Sequence, residues 1–405
     1  MNRGVVATVF GLTMWAAARL SGSAGLHLVA VGITVLPLIS WLVAARNRAE
    51  VKGERRLSSS LVHVGQKIRV DLKVTNDGER PTSFLLLEDR CPIEFGPPAR
   101  FVFDRIPRGN SQSISYERVA SQRGKYALGP LAVQLSDPFV LTTRQEEVAA
   151  RSDVLVAPTV EELEGLPPAL FGSGRGESYS KQVFRSGDEL YAMREYQIGD
   201  DLRRIHWPSV ARTGTLMIRQ DEVARRASAI LLLDSRALLL GKAHTPAFEK
   251  AVSAAASLGR LLTQRGFKLR LALPGEPLAL VDEALLLERL ALVTDSGAQI
   301  LRDEQVRAAA DAGTTLVVVS GIPSETGLSQ LTRAGAAFGR RIAVLVHPSD
   351  RSLMPEDRWQ QLEKRASTAQ ISLTRASWEV SILQPSGSLR EIWQRARNPL
   401  AHTTF

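Results

Sequence analysis

Two uncharged apolar stretches near the N-terminus constrain this chain more than anything else in it. Val5 to Ala18 reads VVATVFGLTMWAAA, and Leu26 to Ala45 reads LHLVAVGITVLPLISWLVAA. The second has the roughly 20 residues a helix needs to cross a bilayer, and hydrocarbon admits a spanning backbone only as helices or closed barrels. The small-residue loop RLSGSAG between them predicts a hairpin of two transmembrane helices. Pro37 is tolerated inside the second span because neighbouring backbone satisfies the groups it frees. Trp15 and Trp41 stand near span ends, where amphipathic rings favour the interface. A signal peptide over Met1 to Ala18 is the rival reading, resting on Arg3, the apolar run and the small residues Ala16 to Ala18. Arg46, Arg48, Lys52, Arg55 and Arg56 follow the second stretch, against Arg19 alone in the loop. The positive-inside bias therefore places the bulk of the chain in the cytoplasm, as a multi-pass protein of the cell membrane with two spans. The single cysteine, Cys91, agrees, because it permits no intrachain disulfide framework.

After a basic juxtamembrane segment that closes the first region at residue 56, the hydrophobic period changes to two. Ile68, Val70, Leu72 and Val74 alternate with polar residues, TNDGE marks a turn, and SFLLLED resumes the pattern. ARFVFDRI, SQSISYERVA, GKYALGPLAVQLSD and DVLVAP repeat it, each bounded by turn formers. Residues 57–158 are expected to form an antiparallel, Ig-like β-sandwich of about seven strands. No nucleophile is paired with a base there. Residues 159–226 read as a linker and motif segment.

From residue 227 to 405 strand and helix patterns alternate. ASAILLLD ends in Asp234, a helical stripe of Phe248, Val252, Ala255, Leu258 and Leu262 follows, and FKLRLAL, TTLVVVS, RIAVLVH and VSILQP supply further strands. Such alternation predicts an α/β doubly wound, mainly parallel sheet. Its ligands bind at the C-terminal strand ends, where Asp234, Ser320 and His347 fall. The order of elements resembles von Willebrand factor A-like domains, whose metal site uses D-x-S-x-S after the first strand. Here Arg236 and Leu238 occupy both serine positions. An Arg in place of a ligand oxygen repels the hard cation such a site would hold. The site is degenerate at Asp234, Arg236 and Leu238, and neither metal nor cofactor is expected. Nor is there a G-x-x-x-x-G-K-[ST] loop or a G-x-S-x-G elbow, and GSGRGES at Gly172 to Ser178 lacks the strand-to-helix context of a phosphate loop.

The segment between the two folded regions carries the densest chemistry, LYAMREYQIGDDLRRIHWPSVARTGTLMIR. Glu195, Asp200 and Asp201 lie among Arg194, Arg203, Arg204 and Arg212, so bidentate Arg–carboxylate pairing can neutralise the segment internally. Gly199 permits a turn after Tyr196. Trp207 before Pro208 offers a bulky anchor, and TLMIRQDE reads as a strand expected to pair beside ASAILLLD. This order resembles family fifty-eight of the domains of unknown function (DUF58). The resemblance rests on Arg194-Glu195-Tyr196, Gly199-Asp200, Arg203 or Arg204, Ile205, Trp207 and Ala211-Arg212. Upstream, QRGKYALGPLAVQLSDPFVL (Gln122 to Leu141) is similar to further elements of that family. The resemblance implies a membrane-anchored protein with a von Willebrand factor A-like domain, associated with MoxR-type AAA+ ATPases and other envelope-associated membrane proteins. It implies no established activity.

Three functions compete at this point. A scaffold or adaptor would use Arg194, Glu195, Tyr196, Gly199, Asp200, Arg203, Arg204, His206, Trp207 and Arg212 as an interdomain clamp or a docking edge for a protein partner. An enzyme acting on an anionic substrate would use His206 as base, Glu195 or Asp200 as acid and the arginines to bind charge. His beside Trp in a polar stretch is more often structural, so no catalytic residue is assigned. The net charge of +9 invites nucleic acid, but no Lys/Arg run with interleaved aromatics supports it. Lys52, Arg55 and Arg56 beside a span fit topology and the headgroups of the lipid bilayer.

Overall fold

The computed structural model describes residues 3–46, 50–82, 84–136, 143–165, 191–196, 205, 207, 210–211, 214–221, 227–301 and 303–397. Contacts divide the chain into two units, Met1–Thr159 and Val160–Phe405.

In the first unit, α1 (Arg3–Ser21) and α2 (Ala24–Arg46) form a hairpin turned at Gly22, whose φ of 65° suits a residue without Cβ. Small residues let the helices approach: Ala18 and Ala30 are fully buried, and a Cβ on Gly11 would run into Thr34. Leu12, Leu28 and Leu38 face outward. The stretch Gly4–Ser21 is long and apolar enough to cross a membrane, and α2 lays a second apolar helix beside it.

Ten strands follow among the described residues, where the alternating runs in the sequence suggested about seven. β1 (Val51–Leu57), β3 (Lys67–Asn76) and β6 (Ser111–Val119) make one antiparallel sheet. A second sheet holds β2 (Leu61–His63), β7 (Gly124–Leu128) and β10 (Ser152–Ala157). The third, in order β5-β4-β8-β9, holds β4 (Leu85–Asp89), β5 (Ala99–Phe103), β8 (Leu131–Ser136) and β9 (Thr143–Ala149). Ile68, Val70, Leu72 and Val74 of β3 share one apolar core with Leu85 and Leu87 of β4 and Leu131 and Val133 of β8. The strands without a clear sequence signal are VKGERRL and TRQEEVA, whose charged residues mask the alternation, and the short β2.

One of those charges is internal. Arg55 and Asp89 are each 1% exposed and ion-paired. Arg55 Nε donates to Asp89 Oδ2 at 3.2 Å, and its Nη1 donates to the carbonyls of Leu128 at 2.9 Å and Ala150 at 2.7 Å. Tyr116 donates its hydroxyl to Asp89 at 2.5 Å. Burial, and then the Asp89 carboxylate, push the Tyr116 hydroxyl pKa far up, so it stays a donor. Gly129, at φ 104°, lies where any Cβ would collide with the Arg55 guanidinium.

The second unit contains a two-stranded ribbon, β11 (Tyr191–Glu195) with β12 (Met217–Asp221), and a six-stranded sheet. The sheet runs β15-β14-β13-β16-β17-β18, with β13 (Ser228–Leu233), β14 (Lys268–Ala272), β15 (Ala279–Val281), β16 (Thr314–Gly321), β17 (Arg340–Val346) and β18 (Glu379–Leu383). All pairs are parallel except β14 with β15. β12 therefore does not lie beside β13 as expected from the sequence. β13 is central, and both its edges are taken by β14 and β16.

Helices cover both faces of this sheet. α4 (Pro246–Gln264) presses Gly259 against Leu231 of β13 and Leu286 of α5 (Glu283–Leu292), closely enough that a Cβ would clash. On the other face Ile230, Leu232, Leu316, Val318 and Leu345 cluster with Leu331 of α7 (Glu325–Gly335) and with Ala369 and Leu373 of α8 (Glu356–Arg375). Strands covered on both faces read as continuous apolar runs, which is why LVVVS showed no alternation. Three short helices, α3 (Ala237–Leu240), α6 (Glu304–Ala308) and α9 (Leu389–Arg397), complete the unit.

Glu161 ties the start of this unit to elements far away in sequence. Its carboxylate accepts from Lys250 Nζ at 2.7 Å, from the Ser388 hydroxyl at 2.8 Å and from the Arg390 backbone N–H at 3.0 Å. Its own N–H donates to Ser257 at 2.9 Å, and Trp393 of α9 donates to the Gly165 carbonyl at 2.7 Å. Burial alone would raise the Glu161 pKa, but the Arg390 N–H, the Lys250 ammonium and the Ser388 hydroxyl outweigh it and bring it down to about 2. A depressed carboxylate stabilises the fold above its unfolded pKa and loses that contribution as pH falls toward the folded value. Glu161→Gln is therefore expected to cost on the order of 2 kcal/mol at neutral pH. In denaturant titrations the gap from the parent should close between pH 4.5 and about 2.

Candidate functional site

In an open α/β sheet, the crevice at the C-terminal strand ends lies where successive connections depart in opposite directions. Here the chain goes from β13 outward to β14 and then returns to β16 on the other side of β13. Asp234 follows β13 directly, and Ser320 lies near the end of β16. Both are fully buried.

Arg236 fills this position. Its Nε donates to Asp234 Oδ1 at 2.8 Å and its Nη2 to Oδ2 at 2.7 Å, a two-pronged pairing that matches guanidinium to carboxylate. Ser320 donates its hydroxyl to Oδ2 at 3.0 Å. The remaining prong, Nη1, donates to the Gln299 carbonyl at 3.2 Å. Arg236 is 5% exposed, so its charge is held inside the protein.

The guanidinium also fastens a strap. Arg236 and Ser296 form an isolated parallel bridge, in which Ala237 N–H donates to Ser296 O at 2.9 Å and Ser296 N–H to Ser235 O at 2.8 Å. Asp295 accepts from the Ala243 N–H at 2.9 Å. The segment leaving α5 is thereby stitched to the segment leaving β13. Next to it, Gly321 is required, because a Cβ there would stand 2.5 Å from the Leu239 carbonyl oxygen. Leu238, the second residue that stands at a serine of the D-x-S-x-S pattern, is 70% exposed.

His347, just beyond β17, is 1% exposed in its side chain and stacks on Trp359 of α8 with ring centroids 4.8 Å apart. Its Nε2 lies 3.8 Å from Glu363 Oε2. Burial lowers its pKa, and the Glu363 carboxylate opposes that only partly. A neutral His347, stacked on Trp359, packs the C-terminal end of β17 against α8. Of the strand-end residues picked from sequence, Asp234 and Ser320 are in direct contact and His347 serves its own packing site.

The motif segment is described in part. Arg194 and Glu195 lie in β11, in register with Ile218 and Met217 of β12, and Tyr196 N–H donates to Leu216 O at 2.8 Å. Trp207, read as an anchor, is 65% exposed. Gly199, Asp200, Asp201, Arg203, Arg204, His206 and Arg212 lie outside the described residues.

Residues 192–281 match the model of a family described as Protein of unknown function DUF58. The resemblance read from the motif stands over this segment, which runs from β11 through β13 and Asp234 to β15. The chain is also 24% identical over 237 residues to Uncharacterized protein YeaD of Bacillus subtilis, across 56% of this chain and 57% of that protein. It thus spans little over half the length of this curated relative. Among solved structures, a CARDB domain from Pyrococcus furiosus aligns at a TM-score of 0.21 with 14% identity, over 27% of this chain and 88% of that one. The alkylpurine DNA glycosylase AlkC of Pseudomonas fluorescens aligns at 0.19 with 14% identity, over 35% of this chain and 43% of that one. Likenesses this slight carry no argument about either fold or function.

Removing one partner of a buried ion pair leaves the other charge uncompensated, at a cost of about 3–5 kcal/mol. Arg236→Met is expected to lose that much, read as a lower denaturation midpoint and faster hydrogen exchange in β13. Replacing both charges, in Asp234→Leu/Arg236→Met, should cost less than Arg236→Met alone. Additive losses would mean that the two side chains act independently.

Proposed function

We propose that this protein is a membrane-anchored, non-catalytic binding protein, a scaffold or adaptor held at the cytoplasmic face by its N-terminal helix pair. The observation that carries this reading is the guanidinium of Arg236 on the Asp234 carboxylate, at the sheet position where ligands of open α/β folds bind. A strand-end crevice filled by the chain's own buried ion pair and crossed by a strap offers its outer surfaces, rather than its interior, to a partner. The α/β unit is of von Willebrand factor A-like type in this reading, with an arginine in place of the cation. The β unit, built around a closed apolar core and a fully partnered Arg55–Asp89 pair, is an Ig-like spacer or a second binding module. The basic residues that follow α2 support the cytoplasmic orientation through the positive-inside bias.

A MoxR-type AAA+ ATPase is the partner class that the family resemblance implies, with other envelope-associated membrane proteins beside it. The test is purification of the full chain from its native membrane in mild detergent, with and without nucleotide. A stoichiometric ATPase that stays bound through size exclusion is the expected result. Isolation of the chain alone under both conditions would contradict the reading.

A further inference from the structure

The charge of this protein is unevenly spread. The whole chain carries +9, yet residues 273–305 hold seven carboxylates against two arginines, with Glu283 and Asp303 paired to Arg260 and Arg307 from outside the stretch. This acidic stretch runs from the β14–β15 turn through α5 to the head of α6, and it also presents apolar side chains to solvent. On the outer face of α5, Leu285 is 36% and Leu292 is 50% exposed. They stand seven residues apart, two helical turns, with exposed Glu288 between them, the spacing of a helix–helix seam. Together with Val293 and the Glu276–Arg289 pair, closed at 2.7 Å, they line a groove of about 350 Å³. A second cavity of about 140 Å³ opens on the other side of Glu276, floored by Leu232, Leu301 and Val306 and rimmed by Glu304.

We propose that the outer face of α5, with the β14–β15 turn, is a docking groove for a basic amphipathic helix of a partner protein. The inference rests on the binding-protein reading above and names the chemistry of its partner. Leu285 and Leu292 take the apolar stripe of the incoming helix, as helix-in-groove recognition requires at i and i+7 spacing. Glu288, with exposed Glu304 beyond the Glu276–Arg289 and Glu283–Arg260 pairs, meets its Lys or Arg side chains. That complementarity selects a basic partner and rejects an acidic one, since like charges brought together at an interface are costly. The long basic stems lie over Leu292 and Val293 while their heads reach the acids.

The test uses the full chain in nanodiscs of zwitterionic lipid, with empty nanodiscs as the blank for adsorption to lipid. The probe is a fluorescent 16-residue helical peptide with Leu on one face and Lys on the flanks, compared with a peptide in which every Lys is Glu. The Lys peptide is expected to bind at least tenfold more tightly than the Glu peptide. Glu288→Lys and Leu292→Asp should each weaken it at least tenfold, while Leu353→Asp, at a 75% exposed site outside the groove, leaves it unchanged. Both groove positions are on the surface, and circular dichroism melts of each variant verify that folding is retained. Equal binding of the two peptides, or no effect of Glu288→Lys, overturns the proposal. So does a concentration-dependent dimer abolished by Leu292→Asp, which would give the groove to a second copy. If a co-purifying partner survives Leu292→Asp, the groove is wrong and the scaffold reading stands. Peptide binding that meets these criteria in a chain isolated without any partner supports the groove and refutes the scaffold.

Discussion

The pairing of Arg236 with Asp234 is the interaction on which the organisation of the α/β unit turns. A carboxylate at the end of a central strand, fully enclosed by protein, requires a counter-charge. A bound cation is one way to supply it, and a guanidinium two residues along the same chain is another. The second choice has consequences beyond neutrality. A planar fork with several donors satisfies both carboxylate oxygens and still has a prong for Gln299, so one side chain closes the charge and holds the strap from α5. Ser320 completes the carboxylate's partners from the neighbouring strand. The crevice that the sheet topology opens is thereby closed by the sequence itself.

The same device recurs at two other places, each time joining segments distant in sequence. Arg55 gathers β4, the last residue of β7 and the residue after β9 around Asp89, with Tyr116 adding a hydroxyl. Glu161 gathers α4 and the start of α9. In each case the wholly or partly buried charge has several partners, which offsets the desolvation that makes isolated buried charges costly. Apolar packing sets how firmly the layers hold, and these clusters set which segments meet. The leucine-bearing outer face of α5 is different in kind: Leu285, Glu288 and Leu292 point to solvent, and the ion pairs beside them, Glu276–Arg289 and Glu283–Arg260, lie at the surface.

Much of this could be read from residues alone. The apolar N-terminal pair, the change of period after residue 57 and the βα alternation after residue 227 follow from local pattern, and the structure has helices and strands there. The Asp-x-Arg order at the end of the first α/β strand was legible as an arginine two residues after a strand-end carboxylate, but not that Arg236 would turn back onto Asp234. That depends on a loop conformation held by Ser296 and Gln299, some sixty residues away. Glu161 gave no signal, since its carboxylate partners lie 89 to 229 residues along the chain. β1 was missed because its apolar content is low and its decisive residue is an arginine facing inward. The placing of β12 failed for a topological reason: a strand next in sequence to β13 found both edges of β13 already used.

The account rests on the Arg236 guanidinium, rather than a bound cation, neutralising Asp234, and titration of the full-length protein with Mn²⁺ followed by electron paramagnetic resonance tests it directly. Free manganese gives a sharp six-line signal that collapses on binding. The expected result is a signal that rises in proportion to added metal from the first addition, the same for the parent and for Asp234→Asn. A stoichiometric loss of signal in the parent that disappears in Asp234→Asn would show the carboxylate to be a metal ligand and would contradict the account.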